Sequence, residues 1–487
     1  MTDSCFAKGC ISSRCTRGVN VSYDGSCFCD EGCGRLTGAT ATGYIPGPCE
    51  PDPSIWIAAN YPSDSTGLPY LRTRVTPTLP PMPAIRTSLR RPRPVLRHRL
   101  LRPLACMPWV LAAILAGCKG ATIPANTEAL APGVWHHAVD LIDGPWALHV
   151  IEVDLPTARR AGVRLRSARA PSDGLGLEKT SVLGSRALAA INGDFFYPET
   201  HRPMGLHVRD GELLVEPLQR SAFAIGGDGG LYIDVFDLDA GLVTESGRAL
   251  PISHVNRDPR GSADLTYFNH FAQGWKDTVH AHVGFVLQSL DEGGWRDADT
   301  IRARVLQVRR HRWPLKLTQD QWLVAGGADF ANEVVTPGDT VQLFRRLSPI
   351  SQGLREAIGG GPRIVRDGRV SIEHEAENLS ASFATDRHPR TALGVDDKGE
   401  TLFLVTVDGR QPGYSVGMSL VELADFMATK MALFTKARTN VAQALNLDGG
   451  GQTTMVVRNH VVNRPSDPTG ERTVANALLV VNSDDDI

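Results

Sequence analysis

The sequence predicts an α+β fold with a strand-rich, mixed-sheet core and a few packed helices. From about residue 134 onward, short apolar runs rich in β-branched side chains are separated by turn signals such as the Asp-Gly pairs at 210–211 and 367–368. Only one segment, 419–431, has a clear helical pattern. Many strands with few helices indicate one or two sheets with helices packed against them.

The individual strands are predicted from alternating or continuous apolar runs. In chain order they lie at 146–155, 162–165, 187–191, 206–208, 223–225, 232–235, 283–287, 305–308, 322–324, 340–344, 401–407, 455–457 and 477–481. The helix at 419–431 places five apolar side chains on one face, and Ser419 and Glu422 form an S-x-x-E capping box at its start. Two long loops are expected at 258–278 and 347–356. The stretch 226–300, which includes the predicted strands at 232–235 and 283–287, is similar to no known family that we can place.

Composition and charge restrict the function classes. The chain has 487 residues, of which 42% are hydrophobic and 21% charged, as in an ordinary globular protein. Its formal net charge of −2 provides no field for a polyanion, so nucleic acid is not an expected partner. Seven of the nine cysteines lie before residue 50, and none follows Cys118. The long C-terminal part is therefore expected to fold without disulfides.

The cysteine-free part is preceded by a segment with the features of an export signal. Residues 86–102 are strongly basic, residues 104–117 (LACMPWVLAAILAG) are apolar, and Leu115-Ala-Gly-Cys118 resembles a bacterial lipobox. We expect a lipoprotein-type signal at 81–118, lipidation of Cys118 and thereby a membrane anchor, and a tether at 119–133. This predicts an exported lipoprotein of the bacterial cell envelope, on its periplasmic or surface face. A buried helix with a stray cysteine is the alternative.

Residues 1–80 are rich in cysteine and proline, and we assign them no function. The stretch 15–33 is similar to a fragment of a somatomedin-B-like module, although the paired cysteines that such modules carry further on are absent. Two explanations remain open: a start codon placed too far upstream, with Met82 as the natural start, or a genuine N-terminal module. The fold proper is predicted at 134–487.

Four stretches share one arrangement, in which a short apolar strand leads into a polar or glycine-rich cluster. They are AAINGDFF at 189–196, AIGGGP at 357–362, RTALG at 390–394 followed by LFLVTVDGR, and ALNLDGGGQTTM at 444–455. Strand ends are rigid positions from which side chains can reach a common site. Backbone N–H groups of glycine-rich turns can bind anions, and arginine suits phosphate or carboxylate. Each motif alone is also explained as a tight turn.

In combination the four stretches predict one site. The candidate catalytic carboxylates are Asp448, Asp408 and Asp194. The candidate substrate-binding residues are Asn192, Gly360, Gly361, Arg390, Arg410, Asn446, Gly449, Gly450, Gly451, Thr453 and Thr454. The sequence contains no zinc signature, no G-x-S-x-G motif and no phosphate-binding loop ending in Lys-Ser/Thr, so no metal site is predicted and the cofactor stays open.

The order and wording of these motifs resemble the phosphodiester glycosidase family. The resemblance spans about residues 134–481, with NLDGGG, the RTALG and VDGR pair, and NGDFF as its most specific parts. It implies a secreted or surface hydrolase that cleaves a sugar-1-phosphodiester in a phosphate-linked glycan or envelope polysaccharide. The linker at 432–444 is longer than is usual in the family, and Gln452 stands where the family often has Ser.

The resemblance leads to a mechanistic hypothesis. Hydrolysis at the anomeric carbon needs charge stabilisation on the phosphate, a proton donor, and either an activated water or an attacking carboxylate. The glycine loops, Arg390 and Arg410 would hold the phosphate, and the carboxylates would act as acid, base or nucleophile. The rival hypothesis is a non-catalytic surface lipoprotein that binds an envelope polysaccharide. A third is that the motifs are only structural glycines.

Overall fold

The computed structural model describes residues 126–483, except 143, 171–175, 273–280, 293–294, 296–297, 311–315, 334 and 351–352, and the paired strands Asn20–Val21 and Cys27–Phe28. Met1–Pro103 and Leu104–Ile487 form separate units, and the larger sheets belong to the second. The predicted signal segment, Cys118 and most of 1–80 lie outside the described residues. The strand-rich α+β prediction is confirmed.

An eight-stranded antiparallel sheet, called here the central sheet, carries two of the four sequence motifs. Its strands, in spatial order, are Arg369–Val370, Arg363–Arg366, Gln443–Asn446, Arg390–Val395, Thr401–Val407, Trp146–Asp154, Val134–Leu141 and Asn126–Ala131. Thr401–Val407 is buried along its whole length, as its continuous apolar run suggests. Asn126–Ala131 lies within the predicted tether, so the sheet begins before residue 134. Its NTEALA sequence has no strand pattern of its own, and the strand is held by pairing with Val134–Leu141.

A five-stranded second sheet packs against one face of the central sheet. Its strands are His460–Val461, Met455–Val457, Ala189–Asn192, Asn476–Asn482 and Val163–Arg169. A shared apolar core joins the two sheets, with Ile191 and Leu478 on one side and Leu404 and Leu445 on the other. Burial of these side chains stabilises the stack by about 25 cal/mol for each Å² of apolar area removed from water.

A five-stranded third sheet contributes to the same core through Phe223 and Ile358. Its strands are Glu212–Val215, His207–Arg209, Leu354–Gly359, Ser221–Gly226 and Leu231–Val235. Three separate two-stranded sheets, each of two-residue strands, also occur among the described residues. They are Phe196–Tyr197 with Arg202–Pro203, Glu178–Lys179 with Thr473–Val474, and the N-terminal pair named above.

Residues 237–348 form a further eight-stranded sheet. In the sequence, this segment is inserted between the third-sheet strands Leu231–Val235 and Leu354–Gly359. Its strands are Ala249–Pro251, Asp237–Val243, Thr340–Ser348, Thr300–Arg309, Val283–Ser289, Gln321–Gly326, Leu265–Phe268 and His254–Val255. This insertion sheet accounts for the unplaced segment 226–300. The two predicted long loops are wrong in part, because 258–278 contains Leu265–Phe268 and 347–356 overlaps the strand ends at 348 and 354.

Helices are few and short among the described residues. The α-helices are Leu155–Arg160, Thr180–Leu183, Ala381–Thr385 and Leu420–Asp425; His270–Ala272, Ala328–Phe330, Met431–Leu433 and Gly450–Gln452 are 3₁₀ turns, and Phe426–Lys430 is a π-helical turn. The predicted capping box of Ser419 and Glu422 is present. The predicted helix 419–431 is thus split into an α-helix and a π turn, with its apolar face on the central sheet. None of the described helices is long and apolar enough to cross a membrane.

Candidate active site

The first and last sequence motifs meet where strands of the second and central sheets end. Asp448 N–H donates to Gly193 O (3.0 Å), and Asn192 Nδ2 donates to Asp448 O (2.7 Å). Asn192 Oδ1 accepts from Thr391 Oγ1 (2.7 Å) and from Thr454 N–H (3.1 Å). Asn192 is fully buried and these bonds occupy its amide, so it joins three motifs rather than facing a substrate.

Asp194 lies just beyond this junction and is almost completely buried. Asn476 Oδ1 accepts from its backbone N–H (2.8 Å), and Gly205 N–H donates to its Oδ2 (2.6 Å). Oδ1 is buried without a hydrogen-bond partner. Burial raises the pKa of Asp194 to about 7, against the opposing effects of the Gly205 hydrogen bond and the Arg220 charge. The carboxyl is therefore protonated in a large fraction of molecules at neutral pH.

Asp448 forms a pair with Asp194. It is partly exposed, and its Oδ1 accepts from Gly449 N–H (2.9 Å). Burial of the carboxyl is the main cause that raises its pKa to about 8; the Gly449 hydrogen bond opposes this, and the charge of Asp194 adds to it. Two coupled carboxyls with apparent pKa values of about 7 and 8 hold one proton between them in that interval. The pair can then supply an acid and a base together.

Asp408, the other predicted catalytic carboxylate, is already saturated with protein donors. Its oxygens accept from Asn463 Nδ2 (3.0 Å), Tyr414 Oη (2.9 Å) and Arg464 N–H (3.0 and 2.9 Å). Burial raises its pKa in spite of these bonds. Asp408 is 1% exposed, so it has almost no surface for a substrate. Its hydrogen bonds instead connect the loop after Val407 to the loop at Asn463 and Arg464. Of the three predicted carboxylates, Asp448 therefore has Asp194 as its neighbour, through the bond to Gly193 O, whereas Asp408 serves protein donors.

The glycine triplet at 359–361 makes room for carboxyl groups and backbone. A Cβ on Gly359 would lie 2.4 Å from Asp194 Oδ2, and one on Gly360 would lie 2.6 Å from Asn446 O. Gly361 has a left-handed φ of 126°, and a Cβ there would lie 2.6 Å from Glu377 Oε2. Gly361 N–H donates to Asn446 O (2.8 Å). These contacts explain the glycines by close packing around Asp194.

The triplet at 449–451 makes room mainly for arginines. A Cβ on Gly450, which has a φ of 66°, would lie 3.3 Å from the Arg410 guanidinium, and one on Gly451 would lie 2.6 Å from Arg472 Nε. The Gly449 and Gly450 N–H groups donate to Asp448 Oδ1 and Pro389 O (both 2.9 Å). These two N–H groups therefore serve protein acceptors, which corrects the prediction that they form an open anion site. The side chains of Arg410 and Arg472, which lie beside the turn, are the candidate anion-binding groups instead.

Arg410 and His388 stand beside this turn. Arg410 is exposed and has a left-handed φ of 58°, an uncommon conformation for a residue with a side chain. Its Nη2 lies 3.3 Å from His388 Nδ1. Burial and the charges of Arg390 and Arg410 lower the pKa of His388, so its imidazole is neutral at pH 7. Because Arg410 can only donate, Nδ1 is the acceptor and His388 Nε2 carries the proton.

Arg472 completes the cationic side of the site. It pairs with Asp467, and its charge lowers the pKa values of both Arg410 and Asp448. The cations Arg410 and Arg472, together with the neutral donor His388, are called the cationic cluster below. Sequence reasoning found only Arg410, because His388 and Arg472 lie in loops outside the glycine motifs.

Arg390 is not part of this cluster. Its Nε donates to Met418 O (3.0 Å) and its Nη2 to Phe383 O and Asp386 O (both 2.8 Å). Burial, together with the Arg410 charge, lowers its pKa to about 10, which leaves it charged. The prediction that Arg390 holds phosphate is corrected, because its guanidinium donates to three backbone carbonyls inside the fold, one in the helix Ala381–Thr385 and two in loops.

Asn446, Thr453 and Thr454 lie beneath the site and not on its surface. Asn446 Nδ2 donates to Gly361 O (2.9 Å) and Leu447 O (2.8 Å). Asn446 Oδ1 and both threonine hydroxyls are buried without a protein partner. Buried polar atoms of this kind are commonly satisfied by ordered water. The three residues therefore support the floor of the site.

Arg220 is a cation that sequence reasoning missed. It is partly exposed, and its charge lowers the pKa of Asp194. Its guanidinium lies 5.9 Å from the ring centroid of Phe195, whose ring meets Phe383 edge-on at 5.9 Å. No motif surrounds Arg220, so only the fold places it. Among the described residues, no group of three or more His, Cys, Asp or Glu side chains could hold a metal ion.

Comparison with known proteins links this site to a family. Residues 304–481 match the family model described as phosphodiester glycosidase, which confirms the predicted resemblance over that region. The matched region contains Asp448, Arg410 and both glycine triplets, whereas Asp194 and Arg220 precede it. The bovine (Bos taurus) N-acetylglucosamine-1-phosphodiester alpha-N-acetylglucosaminidase is 38% identical over 121 residues. That alignment covers 23% of this chain and only 21% of the bovine protein.

Solved structures support the fold. A hypothetical protein from Synechocystis has a TM-score of 0.56 and 21% identity, covering 73% of this chain and 63% of that one. A putative exported protein from Burkholderia pseudomallei K96243 has a TM-score of 0.51 and 24% identity, covering 69% of this chain and 74% of that one. At these identities the similarity concerns the fold alone.

Proposed function

We propose, from the phosphodiester glycosidase match of residues 304–481, that this protein hydrolyses a sugar-1-phosphodiester. The observation that carries the proposal is the position of Asp448, which is bonded to Gly193 O next to Asp194 and directly precedes the turn at 449–451, beside which Arg410 and Arg472 lie. A phosphodiester is an anion, which the cluster can bind, and the sugar–phosphate bond needs an acid and a base, which the pair can supply.

In this proposal Arg410 and the His388 Nε2–H donate to phosphate oxygens. The protonated member of the carboxyl pair gives its proton to the departing phosphate oxygen, while the ionised member activates water or attacks the anomeric carbon. The products are a free sugar and a phosphate monoester. Phe195 and Phe383 offer apolar ring surface to one face of the sugar.

The test is hydrolysis of an α- or β-glucose 1-(methyl phosphate) by residues 119–487, measured as released reducing sugar. Arg410→Met is expected to raise KM at least tenfold, because a charged hydrogen bond to the phosphate is lost. Arg304→Met, at an exposed position of the insertion sheet, is the matched control and is expected to leave KM unchanged. Binding of the diester without release of sugar, in every substrate tried, would instead support a non-catalytic glycan-binding protein.

We also propose export as a lipoprotein anchored through Cys118, on the basis of the basic, apolar and lipobox-like order of residues 86–118. The similar Burkholderia structure is titled a putative exported protein. We expect the native protein to begin with a lipidated Cys118 in mass spectrometry, and Cys118→Ser to be released from membranes. A native N-terminus upstream of residue 82 that carries no lipid would contradict this.

A further inference from the structure

Arg220 lies on the Asp194 side of the site without an ion-pair partner among the described residues. Its Nη1 is 3.8 Å from Met204 Sδ, and its guanidinium carbon is 5.9 Å from the Phe195 ring centroid. A thioether sulfur and an aromatic face are weak partners for a guanidinium. A partly buried cation so weakly partnered favours the binding of an anion.

The backbone on either side of Arg220 is fixed. Arg220 N–H donates to Leu218 O (2.6 Å), and the next residue, Ser221, is held by Glu377 through its N–H (3.0 Å) and Oγ (2.7 Å). Glu377 also accepts from Arg363 N–H (2.9 Å). Three donors thus occupy the carboxylate oxygens of Glu377, the buried acid that holds this turn.

Gly361 leaves open the space beside Arg220. A Cβ at Gly361 would lie 3.5 Å from Arg220 Cδ. The side chain of Arg220 therefore runs beside Gly361, which has no side chain to fill this space. Its guanidinium reaches the Phe195 ring, and its backbone leads into the third-sheet strand Ser221–Gly226. Arg220 is therefore positioned like a residue of a preformed binding site and not like a solvated surface arginine.

The position of Arg220 differs from that of the cationic cluster. Arg220 enters from the third sheet and acts on Asp194, whereas Arg410 and Arg472 come from loops beside the turn at 449–451, and Arg472 acts on Asp448. Each member of the carboxyl pair therefore has its own neighbouring cation. A single phosphodiester carries one negative charge, which the cationic cluster is sufficient to bind.

We infer that Arg220 forms a second anion subsite, which binds a carboxylate or phosphate group of the substrate other than the phosphodiester that is cleaved. The inference rests on the proposed function. It assigns the enzyme to doubly acidic glycans, such as phosphate-linked chains whose sugar carries an acid group. A guanidinium binds both kinds of group in a bidentate manner.

Three matched substrates test the inference: glucose 1-(methyl phosphate), its 6-carboxylate (glucuronic acid) counterpart and its 6-phosphate counterpart. We expect the wild type to have a lower KM for one or both acidic substrates than for the neutral one. Arg220→Met should raise that KM by about ten- to a hundredfold more than the KM of the neutral substrate, the effect of one charged hydrogen-bond pair. Because the Arg220 charge also lowers the pKa of Asp194, kcat is expected to change, but by the same factor for all three substrates. Comparing the two acidic substrates shows which group the subsite takes.

Controls separate the outcomes. Arg164→Met, at an exposed position of the second sheet, should change none of the constants, and Arg220→Lys should restore part of the preference. An equal loss of kcat/KM on all three substrates would place Arg220 on the cleaved phosphodiester, and no preference in the wild type would exclude the subsite. Circular dichroism and the thermal midpoint verify that each variant is folded.

A failure of the proposed function has a different signature. If the wild type turns over none of the three substrates, the affinities of the corresponding methylene phosphonates are measured by calorimetry, in the wild type and in Arg220→Met. These affinities decide whether the anion subsite exists. Binding that favours the acidic analogues and depends on Arg220 would retain the subsite while rejecting hydrolysis. Binding that is equal for all three, or absent, would overturn the inference.

Discussion

Replacing Asp448 by Asn is expected to lower kcat for a sugar-1-phosphodiester by about 10²–10⁴-fold, the usual contribution of a general acid or base. The reason is that an amide can neither give nor take a proton, so the site keeps only one of its two neighbouring carboxyls, Asp194. The amide keeps the size of the side chain, and its oxygen can still accept from Gly449 N–H, so the turn should hold its shape.

The measurement is initial-rate kinetics on glucose 1-(methyl phosphate) with the fold verified by circular dichroism. Asp397→Asn is the matched control, because Asp397 is an exposed carboxylate in the turn before Thr401–Val407. Asp194→Asn should show a loss similar to that of Asp448→Asn, and the double variant should lose little more, since the two carboxyls act as a unit. Near-wild-type turnover by Asp448→Asn would remove Asp448 from the mechanism.

The carboxyl pair is also expected to make the folded state less stable as the pH rises. Both pKa values lie above the ordinary 3.8, at about 7 for Asp194 and about 8 for Asp448, mainly because of burial. Between pH 4 and 8 the folded chain therefore holds protons that the unfolded chain has released, and the free energy of unfolding falls as the pH increases. Each unit of pKa shift corresponds to about 1.4 kcal/mol, so the total loss should reach several kcal/mol.

Urea unfolding at pH 5, 6, 7 and 8 measures this effect in the wild type and in an Asp194→Asn/Asp448→Asn variant. The variant should gain stability relative to the wild type as the pH rises. Other groups titrate as well, among them Glu356, whose pKa burial raises to about 7, but they are common to both proteins and cancel in the difference. Parallel curves for the two proteins would show that the pair is ionised in the folded state.

The sequence predicted the strands better than the roles of polar side chains. Thr401–Val407 and Met455–Val457 have the predicted bounds, because a continuous apolar run is a local signal. The role of Asn192 depends on Thr391 and Asp448, which are 199 and 256 residues away. No local pattern contains such partners, so a residue type suited to binding a sugar was instead a structural junction.

Dependence on partners far away in the sequence also explains why the cations were missed and why Asp408 was predicted to be catalytic. Arg220 stands before an ordinary strand, and its relation to Asp194 exists only after the third sheet has packed against the other two. Asp408 follows a strand end as Asp194 and Asp448 do, but Tyr414 and Arg464 saturate it. Four strands of the insertion sheet were predicted, but their assembly into one sheet was not, because they pair mostly across long stretches of chain.

The two glycine triplets are identical in sequence, but a side chain added to each would meet a different obstacle. At Gly360 the obstacle to a larger residue is backbone, Asn446 O at 2.6 Å, which cannot move without disturbing the core. At Gly451 the obstacle is the end of a flexible side chain, Arg472 Nε at 2.6 Å, which can swing away. A substitution at Gly360 is thus expected to lower the yield of folded protein, whereas a small side chain at Gly451 is expected to leave folding intact and to displace Arg472 within the site.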